Sequence, residues 1–374
     1  MPKQQRSDGD TPDHPAKHRA IDSSKEEISA LEFFSGIGGL HYGLEHALAK
    51  TGKTPKVHLA FDINQIANSV YELNFGSKPS TRSLAVLTAN DLNKYGAVDL
   101  WLLSPPCQPF TSGGKALDDK DDRSKPLLHL LDILPKIKSP PRFLFLENVP
   151  NFETSVCRNI LVTVLQKMGY TYDEYIVSPL QFGIPNDRRR YYLAATLKGT
   201  PLTESQAPDL TLSLKTEWPL DGSKVPVPPL SEIMQELDDV SPYLLPTHYI
   251  TSRPTFRFDI VRPESVRSST ITKAYGSKMV TRAGSFVQTK KMEVTQPNFD
   301  DNASIVDLGL RFFTPTEVAR LHAFPIDATD STPGAHKLEF PKSVSLSQQY
   351  KLLGNSLNVK VIGELMKHSF FLVE

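Results

Sequence analysis

The sequence predicts an α/β chain built on a doubly wound, mostly parallel sheet, with a smaller domain inserted late in the chain. Three observations predict it. Near-continuous apolar runs alternate with amphipathic stretches through the first half, as buried parallel strands and their covering helices do. A glycine turn joins the first run directly to the first amphipathic stretch. The alternation lapses after Thr196, and regular helical patterning returns only at Thr314.

Taken in order, "ISALEFFSGIGGLHYGLEHALAK" reads as a strand, a tight turn and a helix. "KVHLAFDI" is a second strand, followed by "NQIANSVYELNF" at helical spacing. A short strand is expected near Ser83 to Leu87, then the strand "VDLWLL", the helix "PLLHLLDILPKI", the strand "RFLFLEN" and a helix from Thr154 to Met168. The following hundred residues are rich in Pro, Ser and Thr and suggest an irregular unit. "TPTEVARLHAFP" then opens with a Thr-Pro pair suited to an N-cap and first helical position, and "NVKVIGELMKHSFF" is again helical.

At 374 residues the chain can bury a sizeable core and form two domains. Residues 1–27 are polar and read as a disordered tail without the apolar centre of a signal peptide. No apolar run approaches the roughly 20 residues that cross a bilayer, so no membrane partner is expected. Two cysteines exclude a disulfide framework and a cysteine-based zinc site. No metal is therefore expected, and a reducing, intracellular setting fits, cytoplasmic or nuclear. A monomer is expected. The net charge is zero, against a strongly basic nonspecific binder, but the charge is unevenly spread. Pro201 to Tyr249 holds two lysines and eight acids, whereas Ile250 to Lys291 holds nine Lys or Arg and two acids.

The glycines of "FFSGIGGL" would let backbone N–H groups approach a ligand at a helix N-terminus, or would simply make a tight connection. Asp62 of "FDIN" ends the second strand, where an acid binds ribose hydroxyls; the other reading is a helix N-cap. Together they imply a nucleoside cofactor. Without a GxGxxG spacing, S-adenosyl-L-methionine is favoured over NAD.

"LLSPPCQPF" delivers Cys107 from a strand end into the crevice, with two prolines fixing the backbone that leads to it. A lone cysteine there is by itself most simply structural. Glu147 of "FLFLENVPNF" changes that reading, because it ends another apolar strand on the same sheet edge, where a carboxylate is a poor core residue and a good acid. In "FGIPNDRRRYYLAA", a strand would send Arg188 and Arg190 to one face, although three consecutive arginines are usually solvated charge. Such a set can act on cytosine. Thiolate addition at carbon 6 makes carbon 5 nucleophilic, Glu147 hydrogen-bonds N3 and the exocyclic amine, and Arg190 orients the base. At an ordinary pKa of about 8.5 only about 3% of Cys107 is thiolate at pH 7, a deficit that nearby arginines are expected to offset. Cys157, at a helical position in "ETSVCRNILVTVL", reads as a packed core residue.

These motifs resemble the cytosine-5 methyltransferases, a class I S-adenosylmethionine-dependent fold, and within them the tRNA-aspartate branch known as DNA methyltransferase homologue 2. "FFSGIGGLHYGLEHAL", "AFDINQIANSVYELNF", "SPPCQPFT", "ENV", "GIPNDRRRYY", "RFFTPTEVARLHAFP" and "YKLLGNSLNV" stand in the family's order from Leu31 onward. The resemblance divides the chain into a catalytic and cofactor-binding domain (28–200), a target-recognition domain (201–310) and a segment completing the catalytic domain (311–374). It implies catalytic roles for Cys107, Glu147, Arg188 and Arg190. It implies cofactor contacts from Phe34, Ile37, Gly38, Gly39, Asp62, Ile63, Leu84, Ser104, Asn355 and Ser356, the last motif folding back beside the first. In the recognition region Thr270 and Ile271 replace the family's Cys-Phe, while Thr272, Lys273, Tyr275 and Gly276 remain as implied substrate contacts.

The activity implied is methylation of cytosine 38 in the anticodon loop of tRNA-Asp. Flipping a base out of a duplex costs a few kcal/mol, whereas a loop base is already largely unpaired, so a compact recognition region suits tRNA. DNA is the alternative substrate, and a binding protein with weakened catalysis the alternative class. The basic stretch from Thr251 to Lys291 is the expected phosphate surface, with Arg253, Arg267, Lys273 and Lys278 as its contacts.

Overall fold

The computed structural model describes residues 26–111, 117–327 and 336–372. Nearly all of the tail expected over residues 1–27 lies outside the described residues. The strands are β1 (Glu27–Phe33), β2 (Thr54–Phe61), β3 (Leu100–Leu103), β4 (Phe143–Asn148), β5 (Tyr170–Val177), β6 (Arg190–Leu197), β7 (Leu214–Lys215), β8 (Ile260–Val261) and β9 (Phe286–Val287). The helices are α1 (Gly39–Leu48), α2 (Gln65–Phe75), α3 (Ala89–Asn93), α4 (Lys125–Ile133), α5 (Val156–Lys167), α6 (Thr247–Thr251), α7 (Asn302–Asp307), α8 (Pro315–Leu321), α9 (Leu346–Asn355) and α10 (Val359–Met366).

Seven strands form one sheet in the order β2-β1-β3-β4-β6-β5-β7. The β2-β1-β3-β4 pairs are parallel, and β6 alone runs antiparallel to both its neighbours. The chain leaves β1 for β2 on one side and returns to β3 on the other. The crevice between the carboxyl ends of β1 and β3 is therefore the switch point where such sheets bind ligands.

Strand periodicity sorts the core. Ile28 and Ala30 of β1, Leu100 and Leu102 of β3, and Phe143 and Phe145 of β4 pack with α1 and α10. The intervening Leu31, Phe33, Trp101, Leu103, Leu144 and Leu146 pack with α4 and α5. The end of the chain thus folds back onto its beginning, and His46 of α1 meets Glu364 of α10 at 2.9 Å.

The strand expected near Ser83 to Leu87 is a single 3-10 turn, Leu84–Val86. Side chains override the apolar run there: the Ser83 hydroxyl accepts the Ala85 N–H and a Thr88–Asp91 capping box starts α3 at once. Conversely, β5 is a strand that no apolar run announces. Its Glu174 is buried because Arg158 of α5 pairs with it and the Tyr191 hydroxyl donates to it at 2.6 Å.

Between β7 and α8 regular structure is sparse, with the two-residue strands β8 and β9 paired in parallel. This region has its own apolar centre, including Leu230, Phe258, Ile271, Tyr275 and Phe286. That centre continues into Ile37 and Tyr42 at the start of α1 and Val70 of α2.

Candidate active site

A cavity of about 520 Å³ opens at the carboxyl ends of β1, β2, β3 and β4. At its β1 end the chain turns through Phe34 (φ 61°), Gly36 (φ 54°) and Gly38 (φ 88°) before entering α1. The Asp62 carboxylate, just past β2, holds this turn: it accepts the Gly36 N–H and the Asn64 N–H, both at 2.8 Å. Asp62 is not the helix cap, because the Asn64 side chain caps α2. Its remaining lone pairs face the cavity, and burial raises its pKa. Beside it Ile63 is 77% exposed at the mouth, an apolar surface in need of a partner.

Phe34, Ile37, Gly39, Asp62, Ile63, Leu84, Ser104, Asn355 and Ser356 all line this cavity. Gly38 does not. A Cβ there would strike the Phe75 ring at 2.3 Å, so its role is to let the turn pack on α2.

The reactive side chains stand at the opposite end. Ser104, Pro105, Pro106 and Cys107 follow β3, and the next strand clamps them twice. The Ser104 hydroxyl donates to Glu147 Oε2 at 3.0 Å, and Asn148 Nδ2 donates to the Pro105 carbonyl at 3.2 Å. Glu147, the next-to-last residue of β4, is buried, and Arg190 at the start of β6 brings its Nε to 3.6 Å from Glu147 Oε1. Burial raises the pKa of Glu147, against the pull of Arg190, Arg188 and Ser104, which favours the protonated acid.

Cys107 departs from expectation. The arginines and Lys273 do lower its pKa, but burial and the neighbouring Glu147 outweigh them, and the thiol lies above its ordinary range. The resting group is a thiol, and the scarcer thiolate is correspondingly more nucleophilic.

Arg188 is also corrected. It precedes β6, so strand geometry does not aim it beside Arg190. Its guanidinium is buried and donates to the Ile271 carbonyl at 2.9 Å, the Gly354 carbonyl at 3.3 Å and the Ser356 carbonyl. Burial pulls its pKa down, while three carbonyls hold the charged form. Arg188 thereby ties the loop at Ile271 and the α9 terminus to the wall of the cavity, which it also lines.

Of the implied substrate contacts, Lys273 is exposed and its charge reaches Cys107. Thr272 shapes its own turn, donating to the Arg282 carbonyl at 2.6 Å. Its backbone lies so close to Gly354 that a Cβ on that glycine would sit 2.3 Å from it. Tyr275 is wholly buried, donating to the Ser285 carbonyl at 2.6 Å and accepting the Phe313 N–H at 2.8 Å. It is a core residue, and Gly276 packs behind it on Tyr350.

Arg82, Asp122, Arg123 and Pro126 also line the cavity. No periodicity in the sequence marked them. Arg123, whose guanidinium grips Asp121 at 2.7 Å, reaches the site only because α4 packs beside the cysteine loop.

Residues 28–370 of the chain match one family profile, "C-5 cytosine-specific DNA methylase". The chain belongs to the C-5 cytosine methyltransferase family. A human tRNA (cytosine(38)-C(5))-methyltransferase is 32% identical, covering 91% of this chain and 99% of the relative. A DNA (cytosine-5)-methyltransferase of Dictyostelium discoideum is 34% identical, covering 91% and 94%. The crystal structure of S. pombe Dnmt2 methyltransferase superposes with a TM-score of 0.74 at 32% identity, covering 91% of this chain and 98% of that one. The doubly wound α/β sheet predicted from alternating strands and helices is thus found, and so is the methyltransferase type that the resemblance implied.

Proposed function

We propose that the protein transfers a methyl group from S-adenosylmethionine to carbon 5 of a cytosine in tRNA, at position 38 of tRNA-Asp. The observation that carries this reading is that Cys107, Glu147 and Arg190 line the same cavity as Asp62 and Ile63. The pocket size suits a nucleoside cofactor, since small-molecule sites span about 300–1,000 Å³. Asp62 offers free acceptor capacity for ribose hydroxyls, Ile63 and Leu84 offer apolar surface for a purine, and Ser104 lies on the loop that carries the thiol. Bound there, the cofactor would supply a methyl group on a positively charged sulfur.

The chain's own residues do the rest. Cys107, as thiolate, bonds to carbon 6 while protonated Glu147 donates toward N3, so the ring's electron pair gathers at carbon 5. Arg190 holds Glu147 and steadies charge on the base. Once carbon 5 is methylated its proton passes to water, the returning electron pair expels the Cys107 sulfur as thiolate, and N3 returns its proton to Glu147.

Support for tRNA over DNA comes from the names of the human and S. pombe relatives, 32% and 35% identical. The test is a parallel methylation assay on tRNA-Asp and duplex DNA, with Cys107→Ala beside the wild type. Label appearing in tRNA and vanishing with Cys107→Ala is the expected result; label in DNA alone overturns the substrate. A covalent complex with 5-fluorocytosine-containing RNA reports the adduct directly, and its absence refutes the nucleophile.

A further inference from the structure

A second cavity of about 650 Å³, more open to solvent, adjoins the first, and Arg190 lines both. Its walls come from the residues before β6 and from the β8–β9 region. Five arginines line it against two aspartates. The aspartates are occupied. Asp187 pairs with Arg267 at 3.1 Å, and Asp259 accepts the Ser285 hydroxyl. Arg189, Arg257 and Arg282 are exposed and form no ion pair with another described residue. Phe256 lines the same cavity, half-buried and set at right angles to Phe258 with 4.8 Å between ring centres.

This distribution revises the phosphate surface expected from sequence. Arg253 is spent internally, donating to the Tyr249 and Lys278 carbonyls at 2.9 and 2.8 Å. Arg267 is spent on Asp187. Lys273 and Lys278 are exposed and form no ion pair with another described residue, and the second cavity adds Arg189, Arg257 and Arg282 to them, Arg189 coming from outside the basic stretch.

We propose that this groove seats the single-stranded nucleotides flanking the target cytosine, with Arg189, Arg257 and Arg282 on their phosphates and Phe256 stacked on a neighbouring base. The inference rests on reading the first cavity as a cytosine-modifying site. A strand running through the groove can turn one base past Arg190 toward Cys107 while its neighbours stay in the groove. Cations beside an aromatic face are how proteins hold unpaired strands. Duplex DNA is commonly read by a helix or a two-stranded ribbon laid in its major groove. Among the described residues between β6 and α8 the helices are α6 and α7, of five and six residues, and the strands β7, β8 and β9 have two residues each, with short 3-10 turns besides.

The test measures binding by fluorescence anisotropy across a salt series, using the full chain carrying Cys107→Ala, no cofactor, and a short unstructured RNA with one cytosine. Arg257→Glu with Arg282→Glu should weaken binding and reduce the slope of log affinity against log salt by about 1.4, two contacts at about 0.7 each. Phe256→Leu, which keeps apolar volume but loses the flat ring, should weaken binding at least about fivefold with the slope unchanged. Should charge reversal disturb folding, Arg257→Gln with Arg282→Gln reads the same slope. An unaltered slope and affinity overturns the groove. Equal losses on duplex DNA bound as tightly as the RNA give the surface to a duplex and overturn the single-stranded assignment. Failure of the cytosine reading looks different: wild type binds the RNA through the groove yet methylates neither tRNA nor DNA.

Discussion

The sheet edge and the irregular region between β7 and α8 meet at one site but are built by opposite means. At the edge, strands set the side chains: β3 ends before Ser104, β4 ends with Glu147 and Asn148, β6 begins with Arg190, and backbone pairing fixes their spacing. Between β7 and α8, side chains hold the backbone instead: Arg253 on two loop carbonyls, Thr270 on the Asp187 carbonyl, Tyr275 between Ser285 and Phe313. A polar residue at a strand end is therefore free for chemistry, whereas one in the irregular region is often consumed as scaffold. Arg188 belongs to both, reaching from the edge to the loop carbonyl of Ile271.

The largest expected effect lies at the edge. Cys107→Ala should lower methyl transfer at least about 10³-fold with the melting temperature unchanged, because it removes the nucleophile and nothing that packs the sheet. A comparable loss of stability would mean the strand ends also serve as scaffold, and the contrast would fail.

Next is the joint. Arg188→Met keeps volume but strands three carbonyls, and should cost about 3–5 kcal/mol in denaturant unfolding. Near-normal stability would show the two regions to be independently braced.

A third test concerns β1. Glu32 is fully buried, holds the Tyr71 hydroxyl at 2.9 Å, and has its pKa raised from 4.5 to about 8 by burial. Between those values the folded protein binds a proton that the unfolded chain has lost, so this contribution to stability falls as pH rises from 4.5 to about 8. Glu32→Gln should therefore gain on wild type by a few kcal/mol, on the order of the shift, at pH 9 and lose that gain toward pH 4. A constant difference in melting temperature across that range would count against it.

The smallest effect is expected at Tyr275→Phe. Losing one hydroxyl that serves two backbone groups should cost about 1–3 kcal/mol of stability while RNA affinity holds. A selective loss of RNA binding would return Tyr275 to the substrate contacts.

Legibility in the sequence follows the same division. The strand alternation, the Gly turn, Asp62 after the second strand, and Cys107 behind two prolines were readable because period-2 packing and the restricted backbone of Gly and Pro act over a few residues. The 3-10 turn at Leu84 and the strand β5 were misread or missed where polar side chains decide against, or in favour of, an element: Ser83 caps the turn, and Arg158 neutralises Glu174 from another element.

By itself, then, the sequence determined the order of strands and helices and the points where the chain must turn, since both follow from local sterics and apolar spacing. Only the tertiary structure decided that burial holds the Cys107 thiol above its ordinary range despite the arginines, that Arg188 is a tie, and that Arg189, Arg257 and Arg282 form no ion pair among the described residues while Arg253 and Arg267 are spent within the protein. Charge and ionisation depend on burial and on partners distant in the chain, and no local pattern encodes either.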